Sequence, residues 1–199
     1  LALFLEKRRI KYALVAGAIF SILLSYGKNF EPLTSFFIDY VPMYNKFRAV
    51  SSIQVILELC LPVLAALGLN AFINSDEEDR KKPLLYAGAI VGGFLIVILF
   101  AKGIFNFFGA NDKFYAQQYG PKVMKVLKED RETMYAATIF RSLGFFAAAF
   151  GILFFYTKKT FSQFTTVVLV GLVMVIDLFV VAKNYVKADD FVSKSQIER

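Results

Sequence analysis

Histidine and tryptophan are both absent from the 199 residues, and Cys60 is the only cysteine. Without histidine, Ser-His-Asp and Cys-His catalysis and His-ligated metals are excluded. A lone cysteine inside an apolar run permits no intrachain disulfide and makes a poor thiolate site. No cluster of metal ligands argues for a divalent ion, and no cofactor is evident. No signal peptide is visible either, because no small-residue cleavage site follows the first apolar run.

What is present is apolar surface. Hydrophobic residues make up 57% of the chain and aromatic ones 17%, against 20% charged, with a mean hydropathy of +0.55. A soluble domain is about 45–50% apolar. The excess sits in a few long runs, with the charges clustered between them. That pattern excludes a disordered chain, a disulfide-rich module and a coiled coil, and it predicts an all-α, polytopic transmembrane bundle. In this setting the net charge of +7 reflects lipid phosphates and topology signals rather than nucleic acid.

Five stretches approach the 20 or so apolar residues a spanning helix needs: 11–26, 51–73, 84–108, 134–156 and 163–183. Together they predict one transmembrane region over 1–186, followed by the start of an extracytoplasmic polar segment at 187–199. The opening Leu1-Ala2-Leu3-Phe4-Leu5, with no initiator methionine, reads as the end of a preceding span, so a piece of a larger polytopic protein is expected. Pro62 predicts a kink in the second span. Small residues four apart, Ala13 and Gly17, Gly88 and Gly92, Ala147 and Gly151, suit ordinary close helix packing. The short connections carry nine Lys/Arg in 27 residues, the long ones eleven in 65. The denser short set is expected in the cytoplasm, with the long loops and the C-terminus outside.

Chemistry is expected in the long loops. In 27–50, Phe30, Phe36, Phe37, Tyr40, Tyr44 and Phe47 interleave with charge, and Pro32 and Pro42 bracket a short interfacial helix. In 109–133, Gly120-Pro121 divides two helical pieces, the second a surface-lying amphipathic helix with Val123, Val126 and Leu127 beside Lys122, Lys125 and Lys128. The run Asp76-Glu77-Glu78-Asp79-Arg80-Lys81-Lys82 reads as a solvated turn. Glu58, Lys102, Arg141 and Asp177 fall inside the expected spans, each roughly 9–10 Å below the outer face at about 1.5 Å per residue. They are expected to line a water-filled cavity, or else to form two buried ion pairs, with Lys102 snorkelling as a further option. Above them Arg48, with Lys28, Lys46 and Asn29 in the same loop, is the expected binding group for an anionic lipid or sugar phosphate, because its planar fork grips phosphate. Ordinary lipid headgroups are the alternative partner for Arg48. Asp39 and Glu31 are carboxylates with acid/base capacity, and equally suited to local caps or pairs.

The run Ser25-Tyr26-Gly27-Lys28-Asn29-Phe30, continued by Phe36-Phe37-Ile38-Asp39-Tyr40-Val41-Pro42-Met43-Tyr44-Asn45-Lys46-Phe47-Arg48-Ala49, resembles the YfhO-like bacterial membrane proteins, especially their Bacteroidetes-type members. Asp177-Leu178, Asn184-Tyr185 and Asp189-Asp190-Phe191-Val192 are also similar. Tyr26 departs from the tryptophan common in the family. The resemblance implies a GT-C-type glycosyltransferase that moves a sugar from a polyprenyl-phosphate donor to a cell-envelope acceptor outside the inner membrane. It implies a catalytic carboxylate in an earlier outer loop, leaving Asp39 as a secondary base candidate here and Arg48 in a donor-phosphate role. A transporter or flippase for an anionic lipid-linked solute, or a non-catalytic scaffold, are the competing readings.

Overall fold

The computed structural model describes residues 1–46, 50–109 and 111–185. These are overwhelmingly helical, with no strand among them. The chain divides into two compact units, Leu1–Pro83 and Leu84–Arg199.

The first unit holds α1 (Ala2–Leu5), α2 (Ile10–Ser25), α3 (Glu31–Tyr40) and α4 (Gln54–Ile73). Between α1 and α2 the helix breaks, and charged side chains staple the break. Lys11, buried, donates from Nζ to the carbonyls of Leu3 at 2.9 Å and Glu6 at 2.6 Å. Those are carbonyls that a helix end leaves without partners. The Glu6 carboxylate accepts from the Arg8 backbone N–H and guanidinium at 2.9–3.0 Å. α1 then lies tightly on α4, where a Cβ on Gly68 would come within 2.7 Å of the Ala2 nitrogen. α2 packs along α4 through Gly17, whose missing Cβ lets Cys60 Sγ approach. Fully buried Ser21 ties the two together by donating to the Ile53 carbonyl at 2.7 Å. α4 runs unbroken through Pro62, although that residue cannot donate to the Glu58 carbonyl one turn earlier.

The second unit holds most of α5 (Glu77–Ala101), then α6 (Asp112–Tyr119), α7 (Pro121–Thr157) and α8 (Gln163–Tyr185). α4, α5, α7 and α8 are each long and apolar enough to cross a bilayer, and α2 is a shorter apolar helix. The 20 residues of α4 give about 30 Å of helix, the thickness of the hydrocarbon layer. α2, with 16 residues, falls short of that. The outer faces of these helices are apolar: Leu59, Phe94, Phe100 and Phe179 are all exposed. A water-soluble bundle carries polar residues there, so the fold is that of a polytopic helical membrane protein.

Three elements differ in extent from the sequence expectation. The acidic run after Asp76 is not a solvated turn but the start of α5, because Glu77, Glu78 and Asp79 sit favourably at the positive end of the helix. α5 stops at Ala101 rather than running on to 108, where Gly103 and Asn106 favour leaving the helix. Residues 121–133 are not a separate surface helix but the first third of α7. No glycine or proline lies between Lys122 and Thr133, and the pairs Lys125–Glu129 and Lys128–Glu132 bridge successive turns. Thirty-seven residues make about 55 Å of helix, so α7 extends well beyond any bilayer.

Candidate functional site

The loop between α2 and α4 folds back as a compact layer. Gly27 adopts a left-handed φ of 51° and opens a 3₁₀ turn over Gly27–Phe30. The buried Thr34 hydroxyl donates to the Gly27 carbonyl at 2.7 Å, fastening α3 to that turn. Aromatic rings lock the layer together: Phe37 lies 5.5 Å from Phe20 and 5.3 Å from Tyr44, and Phe36 lies 5.1 Å from Tyr40. The Tyr44 phenol oxygen is buried and has no hydrogen-bond partner among the described residues. A buried hydroxyl usually finds one.

Of the residues expected to hold phosphate, Asn29 and Lys46 are exposed in this layer, in the first and second 3₁₀ turns. Lys28 lies in the first turn, but its side chain and the whole of Arg48 lie outside the described residues, as does the polar segment 187–199. Asp39 is exposed near the C-terminal end of α3 and Glu31 at its start. Nothing in the sequence marked Tyr44 out from the other rings, because the absence of a partner is visible only in three dimensions.

The four charges expected within the membrane meet different fates. Arg141 and Asp177 form an ion pair between α7 and α8, Nε to Oδ1 3.5 Å. It is loosely aligned, so Arg141 Nε is buried without a hydrogen bond among the described residues. Lys102 lies just past the end of α5 and pairs with Glu132 at 3.9 Å. Glu58 is exposed on α4 in the first unit, with no ion pair among the described residues.

Sequence reasoning missed a tighter pair in the second unit. Arg131 grips Asp112 with two hydrogen bonds, 2.6 and 2.8 Å, and its Nη1 also donates to the Phe107 carbonyl at 2.9 Å. The Gly109 N–H adds a bond of 2.7 Å to the same carboxylate. The Arg131 bond, then the Gly109 bond, hold the Asp112 carboxyl below its ordinary range. Nineteen positions separate the partners, so no local spacing rule finds them. Phe107 is held at φ 53°, an uncommon conformation for a bulky residue.

Compared with known protein families, with curated proteins and with solved structures, the chain finds no match in any of the three. Its class, a helical membrane protein with an ordered aromatic loop layer, therefore rests on its own residues.

Proposed function

We propose that the chain belongs to a YfhO-like, GT-C-type glycosyltransferase that takes sugar from a polyprenyl-phosphate donor and passes it to a cell-envelope acceptor. The reaction takes place on the extracytoplasmic side of the bacterial inner membrane, with the short, lysine- and arginine-dense connections facing the cytoplasm. The observation that carries this reading is the 27–53 layer. Of the residues that resemble the family, those described between 27 and 46 pack there by their rings against α2, with Asn29 and Lys46 exposed and the Tyr44 phenol unpartnered among the described residues.

Sugar transfer from a lipid phosphate needs cations or donors on the departing phosphate and a carboxylate to activate the acceptor. Arg48, Lys28 and Lys46 supply the charge, Tyr44 and Asn29 supply neutral donors, and Asp39 is the proposed carboxylate, one of two in this layer with Glu31. The lipid tail lies in the bilayer alongside, so the donor needs no aqueous route.

The test uses the intact protein in proteoliposomes with a radiolabelled polyprenyl-phosphate sugar, wild type beside Arg48→Ala and Tyr44→Phe. Wild type transfers label to acceptor. Arg48→Ala lowers the rate about 100-fold, the scale of losing one charge-stabilising donor. Tyr44→Phe lowers it about tenfold for one hydrogen bond. Labelled lipid that crosses the bilayer without transfer makes the protein a flippase instead, and equal rates in all three proteins remove this layer from the site.

A further inference from the structure

A groove of about 760 Å³ opens in the second unit between the end of α5 and the middle of α7. Its walls are mainly apolar: Leu95 and Ile98 from α5, Met134 and Ile139 from α7, with Phe107 and Phe108 from the connecting segment. The size is that of a ligand pocket, commonly about 300–1,000 Å³. It is a built feature rather than a gap. The Tyr135 hydroxyl donates to the Ile98 carbonyl at 2.6 Å, closing one of the carbonyls left open at the end of α5. The Arg131–Asp112 pair pins Phe107 and Gly109 beside it.

Two lysines lie beside the groove without lining it. Lys128 Nζ sits 5.7 Å from the centre of the Phe108 ring. Lys102 and Lys128 share a single carboxylate, Glu132, each at 3.9 Å. That separation is an ion pair but too long for a charge-assisted hydrogen bond, which runs about 2.7–2.9 Å. Both lysine side chains are about two-fifths exposed, and neither ammonium group makes a hydrogen bond among the described residues. Arg131, by contrast, is already committed. Two cations and one acid thus sit next to the Phe108 edge of an apolar trough, where α5 ends.

We infer that this groove binds an anionic glycerophospholipid, one acyl chain lying against Leu95, Ile98 and Met134 and the phosphate held between Lys102 and Lys128. Charge complementarity selects the occupant: a zwitterionic lipid brings its own cation to a mouth that already has one in excess. The site uses none of the residues of the loop between α2 and α4 and needs only that these helices cross a bilayer, whether or not the protein transfers sugar.

These 199 residues hold no tryptophan, so Phe108→Trp, with any tryptophan elsewhere in the intact protein replaced by phenylalanine, supplies a single fluorescent reporter at the groove mouth. The intact protein carrying it is reconstituted with brominated phosphatidylglycerol or brominated phosphatidylcholine at equal mole fraction, and quenching is read. The phosphatidylglycerol quenches preferentially, by about fivefold for each lysine engaged, and Lys102→Gln with Lys128→Gln abolishes the preference. Glu132→Gln, which removes the competing carboxylate without unseating a groove wall, strengthens it. That variant guards against a double lysine variant that fails to fold. Equal quenching by the two lipids overturns the inference, as does a preference that survives loss of both lysines. Displacement of the brominated lipid by trace polyprenyl phosphate also overturns it, and assigns the groove to an isoprenoid carrier.

Discussion

Lys11 shows how a charged residue can be structural in this protein. Its ammonium closes two carbonyls at the end of α1, so replacing it leaves polar groups buried without partners. Lys11→Met is expected to destabilise the solubilised protein by about 1–3 kcal/mol, read as a lowered midpoint in thermal unfolding, while Lys7→Met leaves the midpoint unchanged. Glu6 gives the matching pH dependence. Hydrogen bonds from the Arg8 side chain, then its backbone, pull the Glu6 carboxyl down from 4.5 to about 2. A depressed carboxyl contributes stability that is present above its unfolded value and lost as pH falls through the folded one. Asp112 follows the same rule from its own ordinary value of 3.8. Unfolding midpoints are therefore expected to be flat with respect to these two groups from pH 7 to about 5, and to fall as pH drops from about 4 towards 2. In Glu6→Gln with Asp112→Asn that acid-side fall is shallower.

At the scale of elements, glycines mark several close approaches between helices. A Cβ on Gly88 would overlap the Phe150 ring, and one on Gly92 would sit 3.2 Å from Phe146. Gly88→Val is expected to cost about 1–3 kcal/mol through overpacking, with Phe150→Leu in the same chain recovering part of the loss, both measured by thermal unfolding. Gly151 faces open space, with no atom of another element within 4 Å of where a Cβ would stand, so Gly151→Ala is expected to be neutral. The small-residue spacing in the sequence thus marked true contacts at Gly17, Gly88 and Gly92, but spacing alone could not tell Gly151 from them. Helix ends were legible for the same reason in part. α8 begins at Gln163, as the sequence suggests, because polar Ser162 precedes an apolar run and caps it, its hydroxyl accepting from the Thr165 N–H at 3.1 Å. α5 and α7 were less legible. Hydropathy marks where lipid begins, whereas hydrogen bonding and ion pairs decide where a helix ends, so α7 continues for 13 residues before Met134.

For the whole molecule, the all-helical membrane architecture followed from composition, because runs that long and apolar have no other way to satisfy their backbone. The candidate site was only partly legible. The aromatic residues of 27–50 announced a packed loop, and α3 (Glu31–Tyr40) was foreseen from Pro32 in its first turn and Pro42 beyond its end. The Arg131–Asp112 clamp and the groove it borders were not, since they depend on segments brought together from 19 or more positions apart. Both the 27–53 layer and the groove gain their proposed roles from lying at a membrane surface, so sidedness is what most needs measuring. In a background with Cys60 and any cysteine outside these residues replaced by alanine, single cysteines at Ser35, Glu78, Lys122 and Thr160, all exposed positions, are treated with a membrane-impermeant maleimide in intact cells. Labelling of Ser35→Cys and Lys122→Cys from outside, with Glu78→Cys and Thr160→Cys reacting only after permeabilisation, is the predicted result. The reverse pattern, or labelling of all four from one side, would contradict it.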